Sequence, residues 1–160
     1  MDCNNQPYTS TVNRMNLKLE YKKATKNDVD FLLKLRMRTM NEHYNNSNLP
    51  TSREATLQRV LYEYDKANII IVNDKPIGLL KIDYNKDKIE ILQLQINPDQ
   101  QGKGIGKTIL SNILEEAILI QKPAILSVLK VNKAQDLYIS LGFKIVDENE
   151  HSYIMEFSKW

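Results

Sequence analysis

Residues Gln100–Thr108, "QQGKGIGKT", gather three glycines and two lysines into nine positions, a combination suited to holding phosphate. Glycines let backbone come close to a ligand, and the unpaired N–H groups at the start of a following helix attract an anion. Gly106-Lys107-Thr108 ends as an ATP-binding P-loop ends, but that pattern needs a glycine at position 101, where Gln101 stands. A dinucleotide fingerprint begun at Gly102 needs glycine at 107, and one begun at Gly104 needs it at 109. Those positions hold Lys107 and Ile109. A P-loop enzyme would also want a downstream apolar strand ending in Asp, whereas "IIIVND" lies upstream at 69–74. The loop reads as a phosphate cradle of another kind.

The hydrophobic pattern supplies the elements around it. Leu17, Leu19 and Tyr21 alternate as one face of a strand. Thr25 and Asp28 form a capping-box pattern that opens a helix running to about Tyr44, where "NNSNLP" breaks it. Thr51 and Glu54 repeat the pattern before a stripe of Leu57, Val60, Leu61 and Tyr64. "NIIIV", "PIGLLKIDY" and "KIEILQLQIN" read as strands joined by hairpins at Asn73-Asp74-Lys75 and "NKDK". After the glycine loop, Ile105, Ile109, Leu110, Ile113, Leu114, Ala117 and Ile118 share one helical face. "AILSVLKV" is apolar on both faces, as a central strand is. Ala134, Leu137, Tyr138 and Leu141 follow in helical register until Gly142, and "FKIVDE" with "YIMEF" makes a closing hairpin.

Composition bounds the function. A chain of 160 residues is long enough for one domain with a real core. Residues 1–15 carry no hydrophobic period and read as a disordered polar tail, leaving 16–160 as a single domain. Lys and Arg total 22 against 20 Asp and Glu, a balance that argues for no nucleic-acid partner. The apolar runs are too short to span a bilayer, so no membrane role is expected. One cysteine, Cys3, and no secretory leader fit a reducing, cytoplasmic setting. His43 and His151 lie apart from any cluster of ligands, so no metal is expected.

Read as Gln101-x-x-Gly104-x-Gly106, the loop resembles the acetyl-CoA signature of the GCN5-related N-acetyltransferase family, Arg/Gln-x-x-Gly-x-Gly/Ala. Downstream, "NKAQDLYISLGF" at Asn132–Phe143 resembles that family's coenzyme-A-side segment, and the order of elements over residues 17–158 also matches. The resemblance implies an α/β (α+β) fold: a mixed, mostly antiparallel seven-stranded sheet flanked by helices, with a βαβ acetyl-CoA-binding core. It implies that Gln101, Gly102, Lys103, Gly104, Ile105, Gly106 and Lys107 cradle the pyrophosphate. It also implies that the pantetheine arm bonds to the backbone of Leu94, Gln95 and Ile96, in a gap where two parallel strands splay apart. Tyr138 is then the general acid for the thiolate, although a core tyrosine would share the same stripe. Asn132 is a coenzyme partner, and with Gln135 it also reads as a helix-capping pair. Glu90 is the candidate general base on what looks like an apolar face with Leu92, Leu94 and Ile96, unless it is simply solvated beside "NKDK".

The acceptor side is implied to be walled by "LRMRTMNEHYNNSNLP" and "DENEHSY", where Arg36, Thr39 and His43 share helical spacing that a plain surface helix would share too. The expectation is a cytoplasmic N-acetyltransferase that moves acetyl from acetyl-CoA, its co-substrate, to a primary amine by direct attack. Homodimer formation is carried over from many relatives. The competing expectations are a non-catalytic acyl-CoA-binding module and a P-loop-type nucleotide-binding protein.

Overall fold

A computed structural model of the chain describes residues 17–159, so the segment 1–15, with Cys3, lies outside the described residues. The strands are β1 (Leu19–Lys23), β2 (Ala67–Val72), β3 (Lys75–Tyr84), β4 (Ile89–Ile96), β5 (Ala124–Leu129), β6 (Lys144–Glu148) and β7 (Ser152–Phe157). The helices are α1 (Val29–Thr39), α2 (Asn41–Asn46), α3 (Arg53–Leu61), α4 (Ile105–Ile120) and α5 (Gln135–Ser140). The seven strands form one sheet in the order β1-β2-β3-β4-β5-β7-β6, antiparallel everywhere except between β4 and β5. This is the mixed, mostly antiparallel sheet expected from the sequence, and α4 is the crossover between its parallel pair.

Each face of the sheet has its own apolar layer. Ile105, Ile109, Leu110, Ile113, Leu114 and Ala117 of α4 pack with Ile70, Leu80, Ile89, Ile91, Leu126 and Met155 on one side. Leu32, Leu33 and Leu35 of α1 pack with Val60, Ala67, Ile69 and Leu79 on the other. Ile118, expected on the buried face of α4, is 44% exposed because the helix ends two residues later and is leaving the sheet. Among the described residues no helix is long and apolar enough to cross a membrane.

The expectations for the first two helical segments change. Thr25 and Asp28 do form the capping box, with Asn27 N–H donating to Thr25 Oγ1 at 3.2 Å and Thr25 N–H to Asp28 Oδ2 at 2.8 Å. The box opens a 3-10 turn at Lys26–Asp28, and the helix beyond it breaks at Met40 instead of running to Tyr44. Thr39 Oγ1 donates to Leu35 O at 2.9 Å, a side-chain bond that bends helices, and the asparagine-rich run after it has little helix propensity. The cap of α3 is Ser52, not Thr51: its Oγ accepts from Ala55 N–H at 3.1 Å. Tyr64 lies beyond the helix in a 3-10 turn, where its hydroxyl donates to Thr25 O at 2.6 Å.

A buried lysine ends α3. Lys81 of β3 is fully buried, and its Nζ donates to Val60 O at 2.8 Å, to Arg59 O at 3.4 Å and to Tyr62 O. A cation at a helix C-terminus satisfies the orphan carbonyls and favours the dipole. Burial, then repulsion from Arg36, lowers its pKa from 10.5 to about 8. Below about 8 the cost of the buried charge is fully present, and it is relieved as pH rises toward 10.5, where the unfolded chain is still protonated. Lys81→Met is therefore expected to cost about 2–3 kcal/mol at pH 7 by orphaning these carbonyls. In thermal unfolding the gap to wild type should widen between pH 8 and 10.5.

Candidate active site

β4 and β5 are joined only at their first residues. Ile89, Glu90 and Ile91 pair with Ala124, Ile125 and Leu126, and no pairing follows. The parting begins at a bulge: Lys81 is opposite Gln93 and Ile82 opposite Ile91, so Leu92 has no partner on β3. A bulge bends its strand and resets which side chains face which layer. Beyond it, Asn97 N–H donates to Ile77 O at 2.7 Å, which fixes the alternation of the peptide edges. Gln95 is turned toward β3, its carbonyl so close to Gly78 that a Cβ there would lie 2.3 Å away. Leu94 and Ile96 turn their N–H and C=O groups into the gap, and Ile96 O accepts from Gln101 Nε2 at 2.9 Å. Of the three backbone positions expected to meet a pantetheine arm, two face the opening and one faces the neighbouring strand.

The glycine loop closes one end of that gap. Gly102 and Gly104 have φ of 78° and 79°, a left-handed conformation that other residues rarely adopt. Gly104 is the N-cap of α4 and no side chain caps the first turn, so its N–H groups stay available to a ligand. A Cβ built at Gly106 meets nothing within 4 Å, so the protein leaves room there that its own packing does not use. Gln101, Gly102, Gly104, Ile105, Gly106 and Lys107 line a 740 Å³ cavity with Leu94, Gln95 and Ile96. Lys103 is not among the lining residues, and its Nζ reaches Gln100 Oε1 at 3.4 Å. Thr108, which in a P-loop would serve magnesium, donates its hydroxyl to Gly104 O at 2.9 Å. Among the described residues no three His, Cys, Asp or Glu side chains converge as a metal site.

The far wall comes from the segment after β5. Asn132 and Tyr138 line both the large cavity and a smaller one of 220 Å³ that opens where the strands part. The Tyr138 ring packs edge-on against Phe143, with centroids 5.9 Å apart. Burial raises its pKa above the ordinary value of 10, so the phenol stays protonated and able to donate at neutral pH. Core packing and access to the cavities coexist in this one side chain. Asn132 Oδ1 accepts from Ala134 N–H at 2.9 Å, which braces the turn into α5. The expected reciprocal cap with Gln135 does not form, because Gln135 Nε2 donates to the carbonyls of Lys130 and Asn132 at 2.9 and 3.0 Å.

Glu90 stands apart from this assembly. It lies in the closed part of the sheet, opposite Asp83 on β3 and Ile125 on β5, and lines neither cavity. The bulge at Leu92 also removes it from the face of Leu94 and Ile96, which pack with the α4 layer. Gln93, by contrast, turns toward α3 and donates to Arg59 O at 3.2 Å.

The helix break at Met40 divides the acceptor-side residues. Thr39 and His43 line the large cavity, whereas Arg36, Tyr44 and Ser152 line the small one. His151 sits in the last hairpin with its Nε2 3.8 Å from Glu150. Tyr44, Arg59, Gln93 and Lys81 belong to this neighbourhood and carry no motif. The one trace in the sequence is Lys81, a lone charge inside the apolar run "IGLLKI".

The family model for the acetyltransferase (GNAT) domain matches residues 58–145, more than half of the chain. Among solved structures, the PaiA N-acetyltransferase of Thermoplasma acidophilum in complex with coenzyme A superposes with a TM-score of 0.68 at 21% identity, over 88% of this chain and 99% of that one. An acetyltransferase of Thermus thermophilus gives 0.67 at 20% identity, covering 88% and 97%. The ribosomal-protein-S18-alanine N-acetyltransferase of Escherichia coli gives 0.62 at 18% identity, covering 88% and 93%. At these identities the likeness is one of fold. No curated protein matches in sequence.

Proposed function

Since the chain belongs to the GNAT acetyltransferase family, we propose that it transfers acetyl from acetyl-CoA directly to a primary amine. The observation that carries this reading is the parting of β4 from β5 after Ile91, which opens a slot continuous with the uncapped, glycine-edged start of α4. In this reading Gln101–Lys107 hold the pyrophosphate, and Lys107 adds charge at its edge. The peptide edges of Leu94 and Ile96 hold the pantetheine arm as a neighbouring strand would, and one of these N–H groups faces the thioester oxygen. A fixed dipole there needs no reorganisation as negative charge develops.

The chemistry then requires one bond made and one broken. The neutral amine attacks the thioester carbon, a carbon–nitrogen bond forms, and the carbon–sulfur bond breaks. Tyr138 gives its hydroxyl proton to the leaving sulfur, the amine's proton passes to solvent through the small cavity, and Tyr138 takes a proton back from solvent to restore the starting state. Glu90, six residues before Ile96 and outside the cleft, is not needed for this route.

Thermal unfolding with acetyl-CoA, and separately with ATP and magnesium, tests the reading. A ligand at about 100 times its dissociation constant stabilises by roughly 2.7 kcal/mol. That corresponds to a rise in Tm of roughly 5–10 °C for a chain of this size. Acetyl-CoA should give this shift and ATP should not, and thiol release should follow when amines are added. A shift with ATP alone would remove the transferase reading.

A further inference from the structure

Arg36 brings a cation to the small cavity, and among the described residues no carboxylate lines it. Arg36 is 3% exposed, and its Nη2 donates to the Tyr44 hydroxyl at 2.7 Å. Its Nε and Nη1 are buried and have no hydrogen-bond partner among the described residues. The Arg59 guanidinium lies 3.8 Å over the Tyr44 ring, and it too has a buried, unpartnered Nη1. Lys81 adds a third cation nearby, felt by electrostatic repulsion from Arg36. Among the described residues no carboxylate pairs with any of the three. Glu63 is felt by Lys81, but it is already paired with Lys66 at 2.7 Å.

Burial lowers the Arg36 pKa from its ordinary value, Tyr44 opposes that shift, and Arg59 adds repulsion. Buried charges are normally paired, and an unpaired one is costly. Gln93 adds the complementary feature. Its Nε2 is committed to Arg59 O, which orients the amide and leaves a buried Oε1 that accepts nothing from the described residues. Among the described residues no Asp or Glu lines the cavity to receive a purely cationic amine. Its 220 Å³ corresponds to about seven waters, the scale of a small metabolite.

Resting on the transferase reading of the cleft, we propose that the acceptor is an amine that also carries a carboxylate, an amino-acid-like zwitterion. Its carboxylate takes one edge of the Arg36 guanidinium, where an unpartnered N–H stands beside the second hydrogen of Nη2, and its nitrogen lies on the Gln93 Oε1 side, toward Leu94 and Tyr138. Arg36 is then the specificity-determining residue. A planar guanidinium suits a carboxylate because it can donate two parallel bonds.

The test is thermal unfolding of the wild type and Arg36→Met in the presence of coenzyme A. Each standard amino acid is added in turn, beside its C-terminal amide and beside spermidine. At least one amino acid should raise the wild-type Tm, its amide should not, and neither should shift Arg36→Met. That variant should keep its ligand-free Tm or gain, since it removes an unpaired buried cation. In thiol-release assays the acid should exceed its amide in kcat/KM by about thirtyfold or more. Equal shifts by amides or spermidine, acid shifts that persist in Arg36→Met, or no shift with any amino acid would overturn the assignment. If Arg36→Met fails to fold, the comparison of acid with amide on the wild type decides. An acid-dependent shift without any response to acetyl-CoA would sink the transferase reading and leave this site standing.

Discussion

Tyr138→Phe is expected to lower kcat by about 10²–10⁴-fold, the range that general acid catalysis contributes. The substitution removes one oxygen and keeps the ring that packs against Phe143 at 5.9 Å, so the fold should hold. Acetyl-CoA should stabilise the variant as it does the wild type, because the loop and the peptide edges of β4 are untouched. The pH profile supplies a second check. An acid must be protonated to act, so activity falls as pH rises through its pKa. Burial places that pKa above 10. A wild-type alkaline limb well below pH 10 would therefore belong to another group. A Tyr138→Phe enzyme with unchanged kcat would make Tyr138 a packing residue alone.

Gly78→Ala is expected to be the most damaging single methyl in the cleft's supporting structure. The new Cβ would sit 2.3 Å from the Gln95 carbonyl oxygen, and that atom is backbone, so β4 itself must move. Overpacking against a fixed neighbour costs about 2–4 kcal/mol. In thermal unfolding this is a loss of roughly 5–12 °C. The displacement falls on the peptide between Leu94 and Ile96, whose edges face the gap, so the KM for acetyl-CoA should rise as well. A variant that loses neither stability nor affinity would mean that β4 approaches β3 less closely than described.

These expectations differ in how far the sequence foreshadows them. The glycine loop and the "NKAQDLYISLGF" segment carry the family resemblance because local backbone needs dictate local residue types. Left-handed turns at Gly102 and Gly104 and an uncapped helix start are written into a few consecutive positions. Strand alternation and the α4 stripe were legible for the same reason: burial on one face imposes a period. Element ends were less so, as Met40, Ser52 and Tyr64 show. A helix stops where competing side-chain bonds and neighbouring elements stop it.

Glu90 shows where alternation misleads. Reading every second residue puts it on the face of Leu94 and Ile96, but the bulge at Leu92 inserts one extra residue and exchanges the faces. Nothing in "KIEILQLQIN" marks the bulge, since it is set by register against β3. Gly78 is a second case: a lone glycine in a strand becomes meaningful only once the Gln95 carbonyl lies against it.

The layered α/β architecture, the glycine loop before α4 and the apolar stripe that carries Tyr138 in α5 were legible in the chain alone, because each depends on residues close together in it. It took the folded chain to show that β4 and β5 part after Ile91, that Leu94 and Ile96 offer their peptide edges while Gln95 does not, and that Arg36, Arg59 and Lys81 come close together. Those facts join residues from α1, α3, β3 and β4, and charge and burial act through distance in space, which spacing along the chain does not encode.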